Sequence, residues 1–374
     1  MRTIIILLLT MFFYQSFSQE PTAYQTPPPA IADLIEAAPT PAAFLNPAQN
    51  QMLLLDRPSL PPIEEVAQEE LRLAGARINP RTNGQSRSSY FIGMKLLPVS
   101  GGKEIPVTGL PENPKIESPS WSPDGSTVVF LNTVADGIEL WAVDAASAKA
   151  RRLAGSAVNN AVGGAYGWFS DSKTLIFRQV TPNRGAAPTA PPVPPGPNVQ
   201  VSEGKAAPVR TFQDLLKNKH DEALFEYFSK CQLMLLDLAT GKTTPFGSPG
   251  IFGGVGTSPD GNFVLLTELK KPFSYIVPFN GFPKTVSIYD RSGKLVRQIA
   301  DLPAAENIPK GFNAVPEGPR SFTWRSDVPA TLFWVEAQDG GDPKREAAVR
   351  DKQFFLEAPF IGQAKEGISF NLRY

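Results

Sequence analysis

The sequence predicts an all-β fold, a β-propeller of four-stranded blades, incomplete and carrying a short helical insertion. Two observations point there: a turn motif that recurs through the chain, and a second kind of hairpin that alternates with it. A third is composition. The 374 residues include 38 Pro, 30 Gly and 24 Phe, the balance of a chain of short strands joined by tight turns.

The clearest turn is Trp121-Ser122-Pro123-Asp124-Gly125, followed by the apolar run Val128 to Leu131. It returns as Trp168-Phe169-Ser170-Asp171-Ser172-Lys173 before Leu175-Ile176-Phe177, and as Thr257-Ser258-Pro259-Asp260-Gly261 before Phe263 to Leu266. A fourth copy is Trp324-Arg325-Ser326-Asp327 before Leu332-Phe333-Trp334, and a degenerate early copy is Leu45-Asn46-Pro47-Ala48 before Met52 to Leu55. Proline presets φ at the first corner, aspartate bonds its own backbone, and glycine accepts the left-handed position that follows.

The alternating hairpins run from Glu139–Asp144 to Arg151–Leu153, from Gln232–Asp237 through Thr240-Gly241-Lys242 to Phe246, and from Thr285–Asp290 through Ser292-Gly293-Lys294 to Val296. Tyr90 to Met94, with Gly101-Gly102-Lys103 behind it, reads as an earlier member. Two hairpins make one four-stranded blade. The 47 residues between the turns at 121 and 168 match a WD40-like blade of about 40–45 residues, and the longer intervals hold insertions. A β-sandwich with coincidental turns does not explain five related copies.

The insertions are legible by composition. Thr181 to Asn198 contains seven prolines and reads as an extended, solvated loop; the proline-rich insertion is placed at 181–210. Thr211 to Lys230 spaces apolar residues as an amphipathic helix or helix pair, with Phe212, Leu215, Leu216, Leu224, Phe225 and Phe228 on its inner side. Ile31 to Ala37 and Ile63 to Leu73 read as short helices. At the N-terminus, Met1-Arg2, the apolar run Thr3 to Tyr14 and Ser16-Phe17-Ser18 read as a signal peptide over 1–18, cut after Ser18. That run is too short to span a bilayer, so the expected product is secreted or periplasmic, with no membrane span after cleavage.

Charge and sulfur exclude several functions. With 36 Lys+Arg against 36 Asp+Glu the net charge is zero, which argues against a nucleic-acid partner. A single cysteine, Cys231, and a single histidine, His220, rule out an intramolecular disulfide, a cysteine zinc site and a histidine-rich metal site. No metal or other cofactor is expected. No G-x-S-x-G nucleophile elbow occurs, and the only candidate base, His220, lies in a polar stretch. Asp124, Asp171, Asp260 and Asp327 recur at one turn position, and Asp144, Asp237 and Asp290 at the ends of outer strands, so structure accounts for all seven. Gly163-Gly164 and Gly253-Gly254 are expected to let inner strands approach a crowded axis. No catalytic, cofactor-binding or metal residue is assigned.

Several segments carry a resemblance. The turn copies resemble those of TolB-type propellers and of the prolyl oligopeptidase family of serine peptidases. Tyr24 to Asp33, Leu73 to Ile78, Arg87 to Tyr90, and Thr211 to Lys217 with His220-Asp221-Glu222 are similar to the glutamyl endopeptidase branch of that family. The resemblance implies a propeller over 19–374 that gates peptide access to an α/β-hydrolase domain with a Ser-Asp-His triad. No residue here matches that domain, and about five blades are fewer than the implied ring needs. The expectation is therefore the N-terminal propeller portion of a secreted serine peptidase, inactive alone, whose peptide substrate reaches it through the missing hydrolase domain. The alternative is a free-standing exported TolB-like propeller that binds proteins.

Overall fold

A computed structural model of the chain describes residue 25 and residues 27–193 and 211–374. The signal segment and the second half of the proline-rich insertion lie outside the described residues. Helix α1 (Pro29–Glu36) precedes the first blade, which comprises β1 (Ala42–Leu45), β2 (Gln51–Asp56) and, later in the chain, β6 (Gly93–Pro98) and β7 (Ile105–Pro106). Between β2 and β6 lie α2 (Ile63–Val66) and a small three-stranded sheet of β3 (Leu71–Leu73), β4 (Ala76–Asn79) and β5 (Gly84–Gln85).

Four more antiparallel sheets follow, each with its first strand innermost. Blade 2 is β8 (Ile116–Trp121), β9 (Thr127–Val134), β10 (Gly137–Asp144) and β11 (Lys149–Ala154). Blade 3 is β12 (Tyr166–Trp168), β13 (Thr174–Val180), β14 (Cys231–Asp237) and β15 (Thr243–Gly250), with α3 (Lys219–Ser229) inserted before β14. Blade 4 is β16 (Phe252–Thr257), β17 (Phe263–Leu269), β18 (Lys284–Asp290) and β19 (Leu295–Leu302). Blade 5 is β20 (Pro319–Trp324), β21 (Thr331–Ala337), β22 (Asp351–Glu357) and β23 (Lys365–Phe370).

Strand periodicity explains how the blades stack. Side chains alternate across a strand, and in each middle blade both faces are apolar. On β9, Val128 and Phe130 join a cluster with Leu53, Leu55, Met94 and Leu96 of blade 1. Val129 and Leu131 join Leu175, Phe177 and Leu236 of blade 3. The pattern repeats where Ile176 and Leu233 meet Val264 and Leu266, and where Leu265 and Ile288 meet Leu332 and Trp334. Sheets buried on both faces and stacked in series are the blades of a propeller. Among the described residues no strand of blade 5 pairs with blade 1, and none of the buried apolar clusters joins them, so the ring is open.

The turn motif holds the inner hairpins of blades 2 and 4 by the same bonds. Ser122 Oγ donates to Asp124 Oδ1 at 2.6 Å and accepts from Thr127 N at 3.0 Å. Ser258 repeats this with Asp260 at 2.6 Å and Phe263 N at 3.0 Å.

Four expectations need correction. Ile63 to Leu73 is helical only over Ile63–Val66, and Leu71–Leu73 is a strand because Ala74 and Gly75, both with positive φ (53° and 81°), turn it into β4 as a two-residue hairpin. The helix expected over 211–230 occupies only Lys219–Ser229. Its N-cap is Asn218, whose side chain accepts from Asp221 N at 2.9 Å, an end signal that halts it there. The last strand, which the pattern Gly367 to Tyr374 predicts to run to Tyr374, ends at Phe370. Nor do three of the four paired glycines relieve crowding: a Cβ at Gly164 meets nothing within 4 Å, and at Gly253 and Gly254 it meets only ordinary 3.5 Å contacts, whereas at Gly163 it would fall against the Arg178 guanidinium.

Candidate functional site at the capped end

Four antiparallel strands return the chain to the end of the blade at which it began. Connections between strands 2 and 3, and crossings between blades, therefore gather at one end of the array, and the repeated turns gather at the other. Three insertions fall at the first end: β3–β5 from blade 1, α3 from blade 3, and residues 270–283 from blade 4. They converge in an apolar core separate from the blade stack, made of Leu73, Ala74, Ile78, Phe225, Phe228, Phe273, Val277 and Phe282, joined by Ala161 and Val162 from the crossing between blades 2 and 3. Phe225 is its centre, with ring centroids 5.3 Å from Phe273 and 5.5 Å from Phe282.

Polar bonds fix the same insertions. Phe279 N donates to Ala74 O at 2.8 Å and Gly75 N to Asp214 O at 2.8 Å, so the β3–β4 hairpin tip is held by blades 3 and 4 at once. Arg77 pairs with Asp214 at 2.8 Å, and Tyr275 donates to Glu222 at 2.9 Å. Asn83 and Asn159 both donate to Phe228 O, at 3.1 and 2.9 Å. Contacts between blades 1 and 4, which are not neighbours, span the mouth of the axial space. We call this structure the cap.

Several cavities lie beside the cap among the described residues. One of about 430 Å³ sits between the blade 1 insertion and blade 2, with Arg81, Arg87, Lys115, Glu65 and Glu117 in its lining. Lys115 pairs with Glu65 at 2.9 Å. Burial pushes the Glu117 carboxyl up, against a hydrogen bond from Thr133. Burial and a hydrogen bond to Glu65 push the Tyr90 hydroxyl up to about 12. The cleft carries both signs of charge, and a carboxyl perturbed by burial marks it as a candidate site. The second cavity, of about 180 Å³, opens between the innermost strands of blades 3 and 4 and is lined by Tyr166, Arg178, Leu233, Gly253 and Gly254.

The residues considered from sequence fall elsewhere. His220 is half-buried in the first turn of α3, and among the described residues it makes no hydrogen bond to a serine. The turn carboxylates bond residues of their own hairpins, and Asp171 also pairs with Arg291 of blade 4. Asp124 is held low, against burial, by hydrogen bonds from Ser122 and Ser126. Burial works against Asp171 too, yet bonds from Arg291 and the Lys173 and Thr174 amides hold it down to about 2. Asp144, Asp237 and Asp290 accept from Ser147, Thr240 and Ser292 at 2.6–2.7 Å. Cys231 is buried, and burial pushes its thiol up to about 11. Sequence reasoning passed over Arg178, whose signal was available: a cation at an inward position of an otherwise apolar strand.

Stacked four-stranded blades around an open axis, with one end capped, define the chain as a β-propeller. No family model matches the sequence. It is 38% identical over 366 residues to the probable chloroplastic glutamyl endopeptidase of Oryza sativa subsp. japonica, covering 94% of this chain and 39% of that protein. It is 39% identical over 369 residues to the protein of the same name from Arabidopsis thaliana, covering 94% and 38%. Over nearly its whole length the chain is similar to proteins named as glutamyl endopeptidases, and it spans about two fifths of the length of these relatives. Among solved structures it resembles Pyrococcus horikoshii acylaminoacyl peptidase, at 10% identity, covering 89% of this chain and 40% of that one, with a TM-score of 0.44. It also resembles the β-propeller domain of the Trilobed protease from Pyrococcus furiosus, at 10% identity, covering 68% and 57%, with a TM-score of 0.37. Likenesses so distant carry nothing about function. No helix among the described residues is long and apolar enough to cross a membrane.

Proposed function

We propose that the chain is the access-controlling propeller of a secreted or periplasmic serine-type peptidase, with no peptidase activity of its own. The observation that carries this reading is homology over 94% of the chain to proteins named as endopeptidases and about two and a half times longer. The cap supports it: both ends of the blade array lie at the capped end, so a domain joined through either end would sit beside the cap and the cleft around Glu117. Peptide reaching that domain would have to pass the cap or enter the open side of the ring. The serines in elbow-like strings are bound into turns, and no triad assembles among the described residues, so the hydrolytic groups are assigned to another part of the protein.

The test is labelling with a fluorophosphonate probe alongside a peptidase assay on a Glu-containing peptide. The purified 374-residue chain should show neither labelling nor cleavage. Labelling that persists after every turn serine is changed to alanine would overturn the reading. In parallel, the coding frame beyond Tyr374 should continue into a G-x-S-x-G string followed by Asp and His; a stop codon with nothing resuming downstream would count against it.

A further inference from the structure

Arg178 lies on β13, on the face of blade 3 that meets blade 4, and is only 3% exposed. Its Nη1 donates to the Val162 carbonyl oxygen. Its Nε has no hydrogen-bond partner, and among the described residues no carboxylate forms an ion pair with it. The neighbouring Cys231 is a neutral thiol, its pKa pushed up to about 11 by burial, so it supplies no counter-charge. Glu268, at the same end of the facing blade, does not pair with Arg178, and burial pushes its carboxyl up toward the neutral form. A buried cation left without an anion is strongly unfavourable.

The surroundings keep the guanidinium approachable. Gly163, at φ +69°, lies directly beneath it: a Cβ there would fall 2.4 Å from Nη1 and 2.8 Å from Nη2. The cavity of about 180 Å³ that Arg178 lines opens toward the axis between Tyr166 and the glycines 253 and 254. That volume corresponds to about six waters of bulk liquid, enough for the end of an acidic chain and too little for a peptide segment. With Nη1 engaged by Val162 and Nε left unpartnered, the guanidinium keeps donor capacity for a carboxylate, the anion that arginine pairs with best.

We propose that this cavity is a carboxylate-binding site, with Arg178 as its anion receptor. The carboxylate can belong to a free small acid or to an acidic side chain reaching in from the axial space, and the site asks the same chemistry of both. The proposal concerns binding alone and stands apart from the peptidase reading.

The test is calorimetric titration of the 374-residue chain with glutarate and with neutral glutaramide, then with a capped Gly-Glu-Gly peptide and its Gln counterpart. Glutarate should bind at least tenfold more tightly than glutaramide, and Arg178→Gln should abolish the difference. Preference for the Glu peptide over the Gln peptide would support the site and assign it to a peptide side chain; preference for glutarate alone would support it and assign a free acid. Equal binding of glutarate and glutaramide to the unaltered chain overturns the proposal, whether or not Arg178→Gln folds. So does a glutarate preference that survives in a folded Arg178→Gln variant.

Discussion

Replacing Gly75 with alanine is expected to loosen the cap by about 2–5 kcal/mol. Two effects add. Gly75 has φ +81°, where an alanine costs about 1–2 kcal/mol. Its Cβ would also fall 2.6 Å from Pro278 Cβ, well inside contact distance. Pro278 cannot retreat easily, because the next residue, Phe279, donates its N–H to Ala74 O at 2.8 Å and leads into a short 3₁₀ turn. Overpacking of this kind costs about 1–3 kcal/mol. Gly241→Ala is the control: φ there is +69° and a Cβ meets nothing within 4 Å, so only the backbone cost applies.

All five tryptophans lie in blades, at 121, 141, 168, 324 and 334, so urea unfolding followed by tryptophan fluorescence reports the stack. Hydrogen exchange read by mass spectrometry over residues 71–79 and 219–229 reports the cap. Gly75→Ala should accelerate exchange in both cap segments together and cost more stability than Gly241→Ala by the size of the clash. Equal destabilisation by the two variants, or unchanged exchange in α3, would refute the claim that the hairpin tip is pinned across blades.

Phe130, fully buried between blades 1 and 2, should cost about 3–5 kcal/mol on change to alanine, measured by urea denaturation; a loss under 1 kcal/mol would mean that the blades do not pack as described. Arg373, 7% exposed, reaches Asp339 and Asp351 at 2.7 Å, and both carboxylates are fully buried. Arg373→Met should therefore destabilise blade 5 by about 1.5–3 kcal/mol through the loss of its charged hydrogen bonds, because Arg350 and Arg320 still pair with the two carboxylates, and a neutral result in the same assay would contradict the network. Asp171 is held down to about 2 in the folded chain against an ordinary 3.8. Its contribution is present above about pH 4 and is lost as pH falls toward 2. Melting temperatures of the native chain and Asp171→Asn should converge across that window, and parallel acid limbs would show that the Arg291 bond does not hold in solution.

The blades were legible because their turns are chemically demanding: serine, proline, aspartate and glycine each meet a distinct backbone requirement, and five repetitions expose the period. The insertions were legible as insertions but not as one body. Nothing local in Leu73, Phe225 and Phe273 announces that they meet, since some 150 residues separate Leu73 from Phe225 and the contact depends on blade curvature. Ile63 to Leu73 looked helical because its glutamates favour a helix, yet the Ala74-Gly75 turn decided the outcome through tertiary pairing with β4. The end of α3 at Asn218 was readable as an N-cap followed by Asp221 and Glu222. Apolar spacing from Phe212 onward obscured it, because Phe212 and Leu216 pack on the same core without being helical.

The cap also bears on why the arc of blades keeps its curvature. Each blade interface is a local contact between neighbours, and a row of such contacts leaves the overall bend to small cumulative rotations. A closed propeller removes that freedom by joining its first and last blades, and among the described residues these five show no such joining. The β3–β4 tip supplies another constraint, tying blade 1 to blades 3 and 4 across the axis through Phe279 N and Gly75 N, beside the edge-to-face contact of Phe225 with Phe273 that joins blades 3 and 4. Loosening the cap should therefore change the spacing of blades as well as local stability. Small-angle scattering of Gly75→Ala should then show a larger radius of gyration under native conditions, while Gly241→Ala matches the native chain.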